Sequence, residues 1–294
     1  MLRHHNTTPR RPARTVILGA GGFIGGAILR KLGGAAGAVL GLGRTEIDLL
    51  DQHAADRLAE LLHTDDALVV VSARAPCKNP AMMLENIRMM AAVCEALTKR
   101  PAAHLVYVSS DAVYADGPLP LTETSPAAPT SLHGAMHLAR EQMLLAAAAA
   151  TPLAILRPTL VYGAADPHNG YGPNKFRRQA NRGEAIVLFG EGEERRDHVA
   201  VDDIAEIVCL VLEHRSAGVL NIATGRVASF RALADKAVAL SPRKVEIKTS
   251  PRNGPMPHNG YRPFDPSATR DAFPSFRYTA IDDGLEQAQR QEFG

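Results

Sequence analysis

The sequence predicts an α/β protein built on a doubly wound parallel sheet, with a smaller C-terminal lobe. Three observations carry that reading. Apolar runs of strand length alternate with segments of helical periodicity, a glycine-rich turn joins the first such strand to the first such helix, and the texture changes after Pro158. Strands are expected at 15–18, 38–42, 67–71, 105–108 and 153–156, apolar runs of four or five residues. Between them, residues 23–32, 51–62, 81–98 and 133–149 repeat apolar side chains at helical spacing. Right-handed crossovers then place helices on both faces of the sheet. Beyond Pro158, Gly, Pro, Asn and charged residues separate shorter apolar runs at 186–189, 219–222 and 245–247, which mark the second lobe. A helix at 202–212 interrupts it and continues the first lobe's pattern, so 197–225 is expected to return partly to the first domain.

Composition narrows the class of partner. A chain of 294 residues that is 46% hydrophobic can bury a sizeable core, and 33 basic against 31 acidic residues leave a formal charge of +2. That balance, the absence of tryptophan and the lack of an aromatic-plus-basic strand give no case for nucleic acid or a membrane surface. A small molecule is the expected partner. Cys77, Cys94 and Cys209 lie far apart without a CxxC pair, which argues against a disulfide framework or zinc-thiolate site and for a reducing, cytoplasmic setting. No apolar run approaches the ~20 residues of a membrane span. Residues 1–14, basic and aperiodic, read as a disordered leader.

The first strand runs directly into Gly19-Ala20-Gly21-Gly22-Phe23-Ile24-Gly25 and then into an apolar-periodic helix. The first glycine allows a sharp turn, Gly22 lets the backbone approach a pyrophosphate, and Gly25 lets the helix pack closely on the sheet. Free N–H groups and the positive helix end favour phosphate. In this context the motif indicates a Rossmann-like dinucleotide site, with 15–158 as the dinucleotide-binding domain and 159–294 mainly a substrate-binding lobe. The second strand ends Gly41-Leu42-Gly43-Arg44, without the carboxylate that bonds the adenosine ribose of NAD. Arg44 offers a guanidinium for a 2′-phosphate, so NADP(H) is expected over NAD(H), with Asp48 and Leu49 framing the adenine.

With the glycines, further segments carry a family resemblance: Asn86, Val106-Tyr107-Val108-Ser109-Ser110-Asp111-Ala112-Val113-Tyr114, Leu156-Arg157-Pro158, Val161-Tyr162-Gly163, Arg196 to Asp203, Arg262 and Asp265. Together they resemble the extended short-chain dehydrogenase/reductase family, of the NAD-dependent epimerase/dehydratase type that acts on nucleotide sugars. The resemblance covers almost the whole chain. It implies that Ser110 bonds the reacting oxygen beside Asp111, and that Phe23, Ile24, Ala73, Asn86 and Pro158 join the glycines around the cofactor. It implies that Asn174 and Phe176 contact the sugar phosphates or base, and that Arg196 and Arg262 clamp the diphosphate. Two long helices, at 81–98 and 133–149, would form a four-helix contact in a homodimer.

The chain departs from the family at its active-site Tyr and Lys, which are separated by three residues. In the aligned stretch, framed by Pro129, Gly134 and Glu141, both positions are histidine: His133 and His137. The usual lysine binds the nicotinamide ribose and lowers the tyrosine pKa; a histidine titrates near neutrality without such help. His133 is therefore the expected proton donor and acceptor, and His137, one turn on, the expected ribose ligand. HxxxH spacing also suits metal ligation, yet no HExxH glutamate or nearby third ligand is evident, so no metal is expected. The activity implied is NADP(H)-dependent oxidation or reduction of a nucleotide sugar or sugar-like substrate. An NAD-dependent epimerase or dehydratase, the latter with Asp111 or Glu123 as added acid and base, and a non-catalytic dinucleotide-binding protein are the alternatives.

Overall fold

A computed structural model describes residues 2–34 and 37–294. The first half alternates as expected: β1 (Arg14–Leu18), α1 (Phe23–Gly33), β2 (Ala38–Leu42), α2 (Ala54–Leu61), β3 (Ala67–Val70), α3 (Pro80–Lys99), β4 (His104–Val108), α4 (Leu132–Ala147) and β5 (Leu153–Pro158). The second half adds β6 (Leu160–Tyr162), α5 (Pro173–Arg182), β7 (Ile186–Phe189), β8 (Arg195–Ala200), α6 (Val201–Glu213) and β9 (Gly218–Ile222). It ends with β10 (Val227–Ser229), α7 (Phe230–Ala239), β11 (Ile247–Ser250), β12 (Tyr261–Arg262), α8 (Ser267–Ala272) and α9 (Ile281–Phe293).

Six parallel strands form the central sheet in the order β2-β1-β3-β4-β5-β9. Alternation along each strand divides the core. Ile17, Val69, Val106, Leu156 and Leu220 face α1 and α6, whereas Val16, Leu68, Leu105, Tyr107 and Ile155 face α2, α3 and α4. Both faces are covered, which is why the strands are apolar without interruption. The order reverses beside β1, and that reversal opens a crevice at the carboxyl ends of the strands.

The second lobe joins a four-stranded mixed sheet (β6, β8, β10 and β12) to a parallel pair, β7 and β11. Its own core gathers Tyr162, Phe176, Leu188, Phe230, Leu233 and Leu285. Between these strands the chain returns to the first lobe, where α6 packs on α1 and β9 pairs with β5.

Two expectations need correction. Residues 2–13 are ordered along the end of α6: Arg3 bridges Ala217, His4 bonds Ser216 Oγ at 2.8 Å and the Ala272 carbonyl at 3.0 Å, and Arg10 N–H donates to the Glu213 carbonyl. The segment satisfies carbonyls that the helix end leaves unpaired, and polarity alone did not reveal it. Helix α2 starts at Ala54 rather than 51, because Asp51 Oδ1 accepts the His53 N–H and holds a turn there. No helix among the described residues is long and apolar enough to cross a membrane.

Candidate active site

At the mouth of the crevice, Gly19 adopts φ +93°, and a Cβ on it would lie 2.7 Å from the Ser72 nitrogen. A Cβ on Gly25 would lie 2.1 Å from the Gly19 carbonyl oxygen, so α1 starts as close to the turn as backbone allows. Gly22 caps α1 with its N–H on the Gly19 carbonyl at 3.0 Å. No acidic side chain occupies the first turn of that helix, which leaves its positive end uncompensated. A cleft of about 340 Å³ opens here, and Gly19, Gly21, Gly22, Arg44, Asp48, Leu49 and Ala73 all line it. Phe23 and Ile24 instead pack against the sheet core, Phe23 with its ring against Gly163.

Two charged groups here were not anticipated. Glu46 turns back so that Oε2 accepts the Gly43 N–H at 2.7 Å, returning a carboxylate to the end of β2. A bond from Thr45 and that one hold the Glu46 carboxyl below its usual pKa. Arg74 also lines the cleft and pairs with Glu85. Arg44 Nε donates to Asp48 Oδ2 at 3.2 Å but remains 80% exposed, free to swing towards a ligand. Asn86 does not face the cleft. Its Oδ1 accepts the Arg74 N–H at 2.9 Å, and its Nδ2 donates to the Arg74 and Met82 carbonyls, so it pins the loop after β3 rather than touching a cofactor. Pro158 is likewise buried opposite Ile222, outside the cleft lining.

Ser109 and Ser110 follow β4 directly. Ser110 Oγ accepts the Ala112 N–H at 3.2 Å and is half-buried. The N-terminus of α4 approaches this turn so closely that a Cβ on Gly134 would lie 2.0 Å from the Ala112 carbonyl oxygen. Ser131 caps the helix by accepting the Gly134 N–H at 3.1 Å. Cap and glycine together place His133 beside the serine turn. Its Nδ1 accepts the Cys77 N–H at 3.4 Å, a long contact that leaves the tautomer open. Burial lowers its pKa, although Asp111 pulls in the other direction. His137 lies under His133 with the rings perpendicular and 4.7 Å apart, and its Nδ1 is bonded to Tyr107 Oη at 2.8 Å. Beneath the site, the buried Glu141 carboxylate accepts from Ser109 Oγ at 2.5 Å and from Arg157 Nε and Nη2 at 3.0 and 2.6 Å.

On the substrate side, the expected contacts are engaged elsewhere. Asn174 Oδ1 accepts the Gly163 N–H and its Nδ2 donates to Asp166, while Phe176 is fully enclosed in the lobe core. Both are corrections to a substrate-facing role. Arg196 pairs with Glu194 at 2.7 Å. Arg262, 2% exposed, donates from Nη1 to Asp116 at 2.7 Å, from Nη2 to the Asp111 and Tyr114 carbonyls, and from Nε to Asp111 Oδ2 at 3.4 Å. His258, at φ +49°, completes this group by pairing with Asp116. Glu123 is no free base, because Oε1 accepts the Asn221 N–H at 2.8 Å.

The model of the NAD dependent epimerase/dehydratase family matches residues 15–223. The chain belongs to that family. Among solved structures, UDP-glucose 4-epimerase of Thermotoga maritima, with UDP-glucose, is 23% identical at a TM-score of 0.84, over 95% of this chain and 98% of that one. The UDP-glucose 4-epimerase of Thermus thermophilus, in complex with NAD, is 22% identical at 0.84, over 96% and 99%. A GDP-L-fucose synthetase from Naegleria fowleri bound to NADP is 15% identical at 0.84, over 98% and 96%. At these identities the likeness is one of fold.

As a member of the epimerase/dehydratase family, the chain brings the glycine turn, the β2 end, the serine turn and the α4 histidines to the carboxyl edge of one sheet. Sequence reading did not reach Glu46, Arg74, Tyr107, Asp116, Arg140, Glu194 or His258. None of them was marked as a site residue by its motif; Asp116 and Glu194 are marked only by lying opposite Arg262 and Arg196, and Glu46 only by its return to the Gly43 N–H, neither of which exists before folding.

Proposed function

We propose that this member of the epimerase/dehydratase family is an NADP(H)-dependent oxidoreductase for a nucleotide sugar or related sugar-like substrate, with His133 as the proton donor and acceptor. The observation that supports the reading is the seating of His133: a capped helix start and the close approach of Gly134 to Ala112 bring the start of α4 against the turn that follows Ser110, where the His133 imidazole feels the Asp111 carboxylate. Ser110 bonds the reacting oxygen, and His133 removes its proton in oxidation or returns one in reduction. Support comes from the glycine cradle, which a Cβ at Gly19 or Gly25 would fill and which suits a pyrophosphate, and from Arg44 in the cleft lining, whose guanidinium suits a 2′-phosphate. When bound, the nicotinamide supplies or accepts the hydride. Substitution tests the reading: His133→Ala should abolish turnover while NADP+ still binds, and normal turnover in that variant excludes His133.

Glu46 favours a second reading. Its carboxylate on the Gly43 N–H stands where a ribose-binding acid would act, which suits NAD(H) and a reaction that returns hydride to the same substrate. The exposed Leu84, Leu132 and Leu145 on α3 and α4 support a homodimer through these helices. Titration with NADP+ and NAD+ side by side separates the cofactor readings.

A further inference from the structure

We propose that Tyr107 is a positioning residue that donates to Nδ1 of His137 and so fixes His137 as the Nε2–H tautomer, a neutral donor on the ring's open side. Tyr107 belongs to the β4 face that packs under α3 and α4, and there its ring is 1% exposed. Its hydroxyl has one partner among the described residues, His137 Nδ1 at 2.8 Å.

Two proton arrangements could make that bond. If Nδ1 carried the hydrogen, the phenol proton would be buried with nothing to receive it; if the phenol donates, every buried hydrogen of the pair is satisfied. The second arrangement leaves the remaining imidazole hydrogen on Nε2. That atom is neither bonded among the described residues nor one of the sealed, unpartnered atoms, so it reaches the open side of the ring. Burial, then His133 and Arg140, hold His137 well below the usual histidine pKa, and burial pushes the Tyr107 phenol up to about 12.

Arg140 braces the pair. Its guanidinium lies 5.3 Å from the Tyr107 ring centroid, and Nη2 donates to the Ser72 carbonyl at 2.6 Å, tying α4 to the loop after β3. Where the family places a lysine, this chain therefore presents an uncharged donor whose direction is set from the sheet. That His137 then bonds a ribose hydroxyl rests on the proposed function; the tautomer does not.

The experiment is long-range proton–nitrogen correlation on the full chain, labelled with 15N-histidine and free of nucleotide, with His137 assigned through His137→Gln. Expected is the Nε2–H pattern from about pH 6 to about pH 8, with averaged nitrogen shifts in Tyr107→Phe. An Nδ1–H or doubly protonated His137 in the unsubstituted protein, or an unchanged pattern in Tyr107→Phe, overturns the proposal. The unsubstituted spectrum decides even if the variant folds poorly. With NADP+ as probe, Tyr107→Phe should bind about fivefold more weakly, the worth of one hydrogen bond. Failure of NADP+ to bind the unsubstituted protein would count against the proposed function and leave the tautomer assignment standing.

Discussion

Replacing Glu141 by Gln removes a negative charge from a place that water does not reach. The carboxylate is 1% exposed and its partner Arg157 8%, and the pair is joined by two hydrogen bonds, with Ser109 Oγ supplying a third. The Arg157 guanidinium also lies 4.8 Å from the Tyr114 ring centroid, so it cannot swing to solvent without uncovering that ring. Breaking a buried pair from one side leaves an uncompensated charge, at a cost of about 3–5 kcal/mol. With an unfolding entropy near 2.1 cal/mol/K per residue, a chain of this length loses about 5–8 °C of Tm. Because Ser109 adjoins Ser110, the serine turn should loosen and kcat should fall with stability. Calorimetric melting of Glu141→Gln and of the double variant Glu141→Leu, Arg157→Met is the assay. The double variant should recover much of the loss, since it removes both charges. A loss below ~1 kcal/mol in Glu141→Gln would refute the view that this pair supports the serine turn.

Arg44→Ser should weaken NADP+ by about 10- to 100-fold, the worth of a charge-assisted phosphate contact, and leave NAD+ unchanged; equal losses for both in calorimetric titration would remove Arg44 as the phosphate reader. Asp116 is 34% exposed and neutralises Arg262. Removing a partly exposed unit charge from beside a diphosphate held by Arg262, discounted for solvent, is worth about 1 kcal/mol, so Asp116→Asn should bind UDP about fivefold more tightly. Unchanged affinity would place the diphosphate elsewhere. His104 and His198, buried and each lowered to about 4, bind protons in the unfolded chain before they do so in the fold. Stability should therefore be full above about pH 6.5 and fall towards pH 4, each contributing on the order of 3 kcal/mol to the loss; a flat urea midpoint across that window would contradict their burial as neutral groups.

Local signals told the most. Strand and helix periods, the glycine spacing and the frame from Pro129 to Glu141 are properties of neighbouring residues, and the structure gives a parallel sheet with Gly19 and Gly25 held where a side chain would collide. Helix ends were less legible, because side chains such as Asp51 stop a helix that periodicity would continue. Residues 2–13 look unstructured by composition and are held by contacts distant in sequence: carbonyls at the end of α6, a bridge to Ala217, and the Ser216 hydroxyl and Ala272 carbonyl. The candidate site divides in the same way. Ser110 and the two histidines stand in a motif, whereas the group that reaches His137 Nδ1 comes from position 107, thirty residues away on another element.

By itself, then, the sequence determined the α/β class, the glycine-rich turn between the first strand and helix, and a pair of histidines, His133 and His137, one helical turn apart. Tertiary structure decided which polar groups remain free. Arg262 and Asp116 are 146 positions apart, and Glu123 and Asn221 are 98. A charge read along the chain has no partner until the fold supplies one, and burial then makes that partner obligatory.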